Sequence, residues 1–321
     1  MMKAALGVDI GGTFIKLGIV QGAKVLAHRT LPTAQVSSSP RVLEDGVVAG
    51  MQALIRSSSV KPGSLGVGVP GLVLYPEGVV QTCANLKGWK GVPLRARLQR
   101  RLGIPVRVDN DVKVMALAEW RYGAGKGAKN LVCLTLGTGV GGGFILNGKL
   151  YRSLSGPSAE IGHMAIGESG RSCSCGGIAC LERYVGNRDI LRALRRRLET
   201  GAKSRILQLV GHDLDRLTPE IIDRACERGD RLARETWEEA GEKIGLALAN
   251  VVNLLNPDRI VIGGGIAKAG RWLFDPIRRT LRARTMRALP AVPVVPAELG
   301  VSAGLIGAAL LGEEAIQKGE R

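Results

Sequence analysis

The chain has 321 residues, of which 45% are hydrophobic, only 3% are aromatic and 45 are glycine. This length allows a large core and fits two domains better than one. No uninterrupted apolar run approaches the roughly 20 residues of a membrane span, and the N-terminus lacks the pattern of a signal peptide. We therefore expect a cytoplasmic protein without a membrane partner.

The formal net charge of +17 raises the expectation of an anionic partner. Much of this charge lies in three arginine-rich segments with a helical pattern, 95–101, 192–199 and 278–284. We interpret these segments as solvated helix faces. The aromatic residues that alternate with basic ones in single-strand binding grooves are absent, which argues against a nucleic-acid partner.

The first part of the chain alternates strands and helices. A strand over 3–10 enters the glycine turn "DIGGT", and the apolar stretch after it turns again at Gln21-Gly22 before another strand. The next predicted elements are a helix over 41–57, a strand over 64–71, a helix over 92–103 that Gly103 ends, a strand over 104–111 and a helix over 112–123.

Residues 130–155 repeat the opening layout of strand, glycine turn, strand, tight turn and strand. The tight turn here is Asn147-Gly148, a strong hairpin signal. Two such hairpins, each opening an alternating β/α half, predict an internally duplicated α/β protein. The remaining predicted elements are a helix over 230–254, a strand and glycine turn over 258–270, a strand over 292–299 and a helix over 302–316.

Three glycine-rich turns follow strands, in "DIGGT" (9–13), "LGTGVGGG" (136–143) and "IGGGIAKAG" (262–270). Such turns let backbone N–H groups cradle phosphate oxygens, although each alone is equally typical of a structural hairpin. None is a Walker A loop or a dinucleotide fingerprint. Three of them in a duplicated chain favour a nucleotide-phosphate site, beside which Asp9 suits hydrated Mg²⁺.

Asn110 and Asp111 stand at a strand end, directly before a helix. Both residue types are preferred at helix N-termini, so a capping role is one interpretation. The other interpretation is a general base, because phosphoryl transfer to a hydroxyl needs a carboxylate within reach of the attacking O–H group.

The segment "HMAIGESGRSCSCGGIAC" (163–180) has the spacing H-x₉-C-x-C-x₄-C. A disulfide staple, a metal site and ordinary small residues are the alternatives. A cytoplasmic setting disfavours disulfides, and three thiolates with one imidazole fill a tetrahedral zinc shell. We predict structural Zn²⁺ bound by His163, Cys173, Cys175 and Cys180. Cys83, Cys133 and Cys226 are scattered, and we interpret them as small buried residues.

"DIGGT" with Lys16, "LGTGVGGG" and "VIGGG", in this order, resemble the acetate/sugar kinase, hsp70 and actin superfamily, and more narrowly the ROK family of bacterial sugar kinases and repressors. The resemblance covers nearly the whole chain. It implies a duplicated ribonuclease H-like, actin-like ATPase fold of two α/β domains with a cleft between them. We expect a small domain over 1–118 plus 303–321 and a large domain over 119–302. The large domain would contain helical insertions and the segment 163–180 with its four zinc ligands, here called the zinc knot.

The resemblance also implies the site residues. ATP would contact Asp9, Gly11, Gly12, Thr13, Lys16, Gly137, Thr138, Gly139, Gly263, Gly264 and Gly265. The hexose would contact Gly71, Asn85, Asn110, Asp111, Glu160, His163 and Glu182, with Asp111 as the catalytic base. The Cys/His spacing matches the family's zinc signature. The chain departs from the family pattern after Asp111, at Val112 to Val114, and after Glu182, at Val185-Gly186.

These motifs and the resemblance imply an ATP- and Mg²⁺-dependent kinase that phosphorylates the 6-hydroxyl of a hexose, with glucose as the first expectation. A homodimer is what the family resemblance implies. N-acetylglucosamine, N-acetylmannosamine, mannose and fructose are alternative substrates, and polyphosphate is an alternative donor. A sugar-responsive repressor is a further alternative, although family repressors carry an added N-terminal helix-turn-helix for which a first strand starting at residue 3 leaves no room. An actin-like structural polymer is disfavoured by the Asn-Asp and Glu-x-x-His elements.

Overall fold

The strands and helices come from a computed structural model that describes residues 3–83, 86, 88–153 and 156–317. Its strands are β1 (Ala5–Ile10), β2 (Phe14–Gln21), β3 (Lys24–Pro32), β4 (Leu65–Val69), β5 (Leu72–Leu74), β6 (Val79–Thr82), β7 (Lys90–Val92), β8 (Val106–Asn110), β9 (Leu131–Leu136), β10 (Val140–Leu146), β11 (Lys149–Leu150), β12 (Arg259–Gly263) and β13 (Val294–Pro296).

The α-helices are α1 (Thr33–Val36), α2 (Pro40–Arg56), α3 (Leu94–Leu102), α4 (Asp111–Tyr122), α5 (Glu182–Val185), α6 (Asn187–Glu199), α7 (Ile206–Leu209), α8 (Pro219–Glu227), α9 (Arg231–Leu255), α10 (Arg271–Arg284) and α11 (Ala303–Gln317). Short 3₁₀ helices lie at Ile161–His163, Leu214–Arg216, Ile266–Ala269 and Gly300–Ser302. Within the described ranges no helix is both long and apolar enough to cross a membrane.

Two five-stranded sheets have the same layout. The first has the order β3-β2-β1-β4-β8, and the second has the order β11-β10-β9-β12-β13. In the first, β1 pairs antiparallel with β2 and parallel with β4. In the second, β12 pairs parallel with both β9 and β13. The repeated strand order confirms the predicted α/β fold with an internal duplication. The sequence patterns did not predict the small third sheet, β5-β6-β7.

The chain divides into two compact units. The first consists of Met1–Lys129, Gly143–Ala159 and Ala297–Arg321, and the second of Asn130–Gly142 and Glu160–Pro296. This division puts residues 119–129, 143–159 and 297–302 in the first unit. The prediction, with a small domain over 1–118 plus 303–321 and a large domain over 119–302, put these residues in the large domain. The compact units therefore do not follow the predicted boundaries.

Glu119 shows why α4 and the segment before α11 belong together. Its carboxylate is fully buried and accepts hydrogen bonds from the backbone N–H groups of Ala124, Glu298 and Leu299, at 3.0, 3.1 and 2.8 Å. A buried carboxylate needs such donors, because without them its desolvation is not compensated. One side chain thus ties the end of α4 to residues about 180 positions later.

The core of the first unit depends on close backbone approach. Strand β1 is buried along almost its whole length, and α11 packs against β1 and β4. A Cβ atom on Gly7 or Gly66 would overlap the backbone of α11, at Leu305 O and Ala308 O respectively. Glycine at these two strand positions therefore lets an apolar helix lie directly on the sheet.

Candidate functional site

Asp9 and Lys16 face each other on the first hairpin. The β1–β2 register pairs the two residues, and Lys16 Nζ lies 3.7 Å from Asp9 Oδ2. Burial raises the pKa of the Asp9 carboxyl, and the Lys16 ammonium opposes that rise. A further cation beside this partly buried carboxylate would favour its ionised form.

Gly11, Gly12 and Thr13 form the turn that joins β1 to β2. The Gly11 N–H group donates to Phe14 O at 3.0 Å, and the buried Thr33 hydroxyl donates to Gly11 O at 2.8 Å. Gly12 and Thr13 are exposed. The first unit thus brings Asp9, this turn and Lys16 together, as the sequence predicts.

The second hairpin has an equivalent turn between β9 and β10. Gly137 N–H donates to Gly139 O at 3.0 Å, and Thr138 between them is exposed. Glu182 Oε2 accepts the Val140 N–H at 2.8 Å. The structure thus places one oxygen of Glu182, a predicted sugar ligand, against the glycine turn. No motif signals this contact, because it joins residues 42 positions apart.

Substituting Gly139 tests how tightly this turn is held. A Cβ atom at Gly139 would overlap Glu182 Oε2, whereas one at Gly137 meets no atom within 4 Å. Because the end of the Glu182 side chain can move away, we expect Gly139→Ala to cost mainly its hydrogen bond to the Val140 N–H, about 1 kcal/mol of the free energy of unfolding. The matched control Gly137→Ala should stay within about 0.5 kcal/mol of wild type in the same urea titration. Equal values for the two variants would contradict the contact.

The third glycine turn follows β12. Gly263 is buried and pairs with Thr135 of β9, while Gly264 and Gly265 are exposed. Gly264 has a φ of +91°, and a Cβ there would overlap Leu136 O at the end of β9. The second unit therefore carries two of the three predicted phosphate-binding turns at the ends of neighbouring strands.

Asn110 caps helix α4. Its Oδ1 accepts the N–H groups of Val112 and Lys113 at 3.0 and 3.3 Å, and its Nδ2 donates to Gly71 O at 3.1 Å. The capping interpretation is therefore correct for Asn110. Asp111 is the first residue of the helix, and its Oδ1 accepts the Val112 N–H at 3.0 Å. The structure thus brings Gly71, Asn110 and Asp111 to one place in the first unit.

A buried ion pair lies directly behind Asn110, and the sequence patterns gave no sign of it. Arg152 Nε donates to Asp109 Oδ2 at 2.7 Å, and the other oxygen, Oδ1, accepts the Asn110 N–H at 2.8 Å. Arg152 also lies over the Tyr75 ring, 3.9 Å from its centroid, and 3.5 Å from Glu314 Oε2. These contacts hold residues around 152 in the first unit.

Breaking this pair should destabilise the protein. Asp109 is fully buried, so Arg152→Met leaves its charge uncompensated and should lower the free energy of unfolding by about 3–5 kcal/mol. Adding Asp109→Asn to that variant should recover part of the loss. The control is Arg101→Met, which removes an exposed pair with Asp45 and should cost at most about 1 kcal/mol. Equal losses for the Arg152 and Arg101 variants would contradict the prediction.

The four predicted metal ligands form one cluster. Their ligand atoms all lie within 4.8 Å of one another. His163 Nδ1 is 3.6 Å from Cys173 Sγ, and Cys175 Sγ is 3.6 Å from Cys180 Sγ. Both distances are near the edge of about 3.8 Å expected for a tetrahedron of thiolates around zinc. The Cys175–Cys180 distance is far longer than a disulfide bond, and all three cysteines are free in this structure.

Local backbone structure shapes this cluster. The N–H of Cys173 donates to Gly177 O at 2.9 Å, and isolated bridges pair Ser172 with Ile178 and Ala165 with Cys180. Burial and neighbouring thiols raise the pKa of Cys180 to about 12. A cation at the cluster would be needed to hold this thiol as a thiolate at neutral pH. Three sulfur atoms and one imidazole nitrogen within 4.8 Å of one another are the donor set that a soft, tetrahedral metal ion prefers.

The other predicted residues have simpler surroundings. Glu160 is exposed, and its C=O accepts the His163 N–H at 3.0 Å across the short 3₁₀ helix, so the two residues share one turn. Asn85 lies outside the described residues. Cys83, Cys133 and Cys226 are buried, as predicted.

The sequence profile of the ROK family matches residues 5–315. The chain belongs to the ROK family. A glucokinase of Streptomyces coelicolor is 32% identical over 318 residues, an alignment that covers 98% of each chain. This membership confirms the resemblance that the three glycine turns and Lys16 carry.

Solved structures of ROK proteins share the fold. The glucokinase of Streptomyces griseus, solved with glucose and AMPPNP, has a TM-score of 0.84 and 31% identity, covering 97% of this chain and 99% of its own. A ROK-family transcriptional regulator, a homologue of the E. coli Mlc protein, has a TM-score of 0.89 and 25% identity. It matches all of this chain with 80% of its own length. The family thus includes both kinases and regulators of this fold.

Proposed function

We propose that this ROK protein is an ATP-dependent hexose kinase that phosphorylates the 6-hydroxyl of glucose. The observation that carries the proposal is the group Gly71, Asn110 and Asp111. The Asp111 carboxylate stands at the first residue of helix α4, directly after the capping residue Asn110, which also donates to Gly71 O. The 32% identity to a glucokinase over nearly the whole chain supports the same reaction class.

Asp111 acts as the general base in this proposal. Its carboxylate accepts the proton of the sugar 6-hydroxyl as that oxygen bonds to the γ-phosphorus of ATP and the bond to the ADP oxygen breaks. Asn110 fixes the position of Asp111, because its side-chain oxygen accepts an N–H group of α4 and its Nδ2 donates to Gly71 O. The same Nδ2 group contributes a polar contact toward the sugar.

The glycine turns bind the nucleotide phosphates in this proposal. The backbone of Gly11–Thr13, Gly137–Gly139 and Gly263–Gly265 supplies N–H donors that stabilise charge on the transferred phosphoryl group. Asp9 would hold hydrated Mg²⁺, because its carboxylate stands near the end of β1, beside the glycine turn. Mg²⁺, when bound, neutralises charge on the phosphates. Lys16, 33% exposed beside Asp9, adds a second cation.

The zinc knot supports the sugar ligands. The Nδ1 atom of His163 faces Cys173 Sγ, so Nδ1 would bind structural Zn²⁺ while Nε2 on the opposite side of the ring meets a sugar hydroxyl. Glu160, on the same short turn, supplies a carboxylate to the sugar. Glu182 would reach the sugar with one oxygen while the other holds the Val140 N–H, and Asn85 completes the predicted set.

The decisive experiment is an ADP-release assay with ATP and Mg²⁺ against glucose, mannose, fructose, N-acetylglucosamine and N-acetylmannosamine. We expect the highest kcat/KM with glucose. A higher value with another sugar overturns the glucose assignment alone, and no turnover with any of them overturns the kinase. A parallel series with polyphosphate tests the donor. We also propose a homodimer, which light scattering of the purified protein tests directly.

A sugar-responsive repressor is the second candidate function. The observations in its favour are the 0.89 TM-score to a ROK regulator and the +17 charge. Binding driven by phosphate contacts weakens steeply with salt. Sugar-sensitive, salt-dependent binding to one operator-length duplex, without turnover of any sugar, would support the repressor. Equal, weak binding to every duplex would exclude it.

A further inference from the structure

A cavity of about 250 Å³ lies within the second unit, away from the glycine turns. The segment just before the cysteines, α5, α6 and α9 enclose it. Its lining residues include Arg171, Tyr184, Leu194, Arg197, Glu239 and Lys243. Three of these are cations and one is an acid, so the cavity differs in charge from an ordinary gap between helices.

Two cations approach the same aromatic ring in this cavity. The guanidinium carbon of Arg171 lies 5.2 Å from the Tyr184 ring centroid, and Lys243 Nζ lies 5.0 Å from it. The ring attracts each cation, but it neutralises neither. Two like charges close to one ring repel each other, and an anion in the cavity that both residues line would relieve that repulsion.

The nearby carboxylates are already engaged. Glu239 pairs with Arg197 at 3.0 Å. Asp189 is buried and pairs with Arg183 at 3.1 Å and with Arg192 at 3.3 Å. Arg171 lies 4.0 Å from the same carboxylate, at the outer limit of ion-pair distance. Throughout the described ranges, Lys243 lies within ion-pair distance of no carboxylate.

Arg171 is also oriented by its surroundings. Its Nη1 donates to Arg183 O at 2.8 Å, and its backbone N–H donates to the Tyr184 hydroxyl at 3.4 Å. These contacts fix the guanidinium before any ligand arrives, which lowers the entropy cost of binding. A guanidinium and an ammonium held in this way match the several acceptor oxygens of a phosphoryl group.

We propose that this cavity is a binding site for inorganic phosphate or a small phosphomonoester, held by Arg171 and Lys243 beside the Tyr184 ring. The volume suits a small ligand rather than a nucleotide. A ligand here would contact Tyr184, two residues after Glu182, whose carboxylate holds the β9–β10 turn. The site therefore offers a route by which a phosphorylated compound stabilises that turn. The proposal does not depend on the proposed kinase reaction.

The test is calorimetric titration of the full chain with inorganic phosphate, and separately with glucose 6-phosphate, without ATP, sugar or Mg²⁺. Lys243→Gln should weaken binding of the preferred ligand at least about tenfold, because one charge-assisted contact is lost. Lys243→Arg, which keeps the charge, should retain most of the affinity. The matched control is Lys203→Gln, which removes an exposed lysine from the same unit outside the cavity lining and should bind like wild type.

The two titrations distinguish the source of the phosphoryl group, since the tighter ligand identifies free phosphate or a phosphomonoester. Unchanged affinity in Lys243→Gln would place the anion elsewhere, including at the glycine turns, and would overturn the proposal. Absence of binding in the wild type would overturn it as well. Neither result bears on sugar phosphorylation, which these titrations do not measure.

Discussion

Asp111→Asn is expected to lower kcat for glucose phosphorylation by about 10²–10⁴-fold, the usual contribution of a general base. The amide cannot take up the proton of the attacking hydroxyl. Its oxygen can still accept the Val112 N–H that Asp111 Oδ1 accepts at 3.0 Å, so helix α4 should keep its first turn. We therefore expect the KM for glucose and the free energy of unfolding to change little.

The control for this variant is Asp45→Asn, the same chemical change at an exposed carboxylate of the first unit that pairs with Arg101. It should leave kcat at the wild-type value. Steady-state kinetics with saturating ATP separate kcat from KM, and urea titration measures stability. A kcat within a few-fold of wild type for Asp111→Asn would assign the proton transfer to another group and remove the basis of the proposed mechanism.

Cys175→Ala is expected to reduce zinc content, stability and sugar affinity together. Cys175 is exposed, so its removal leaves no cavity, and any loss reflects the missing ligand. We expect the free energy of unfolding to fall by about 3–5 kcal/mol, part of the roughly 10–16 kcal/mol that structural zinc contributes in small domains. The KM for glucose should rise about 10–100-fold, since the metal would orient His163.

Cys226→Ala is the control, because Cys226 is buried but outside the cluster. It should keep a full equivalent of zinc and the wild-type KM, with only the modest stability loss of a small packing defect. Metal content is measured by atomic emission on the purified proteins. Full zinc occupancy in Cys175→Ala, or an unchanged KM in metal-free protein, would contradict the role proposed for the knot.

The predicted elements whose signals lie in neighbouring residues agree with the structure. Helix α3 ends where Gly103 adopts a φ of +67°, as the glycine at that position predicts. Asp230 caps the N-terminus of helix α9, where its carboxylate accepts the Ala233 N–H at 2.8 Å, and Asn256, one residue before Pro257, caps the C-terminus. The cysteine spacing likewise predicted a cluster, because its ligands lie within 18 residues.

The sequence by itself thus determined the strands of the two five-stranded sheets, the duplication, the glycine turns, the Cys/His cluster, and helices α2, α3, α4, α9 and α11. Only the tertiary structure decided that Glu182 holds the Val140 N–H, that Arg152 neutralises Asp109, and that Glu119 ties α4 to the segment before α11. The physical reason is the same in each case. A carboxylate that folding removes from water takes its partner from whatever the fold brings near. Asp109 and Glu119 are buried and Glu182 is half-buried, and their partners lie 43, 180 and 42 residues away.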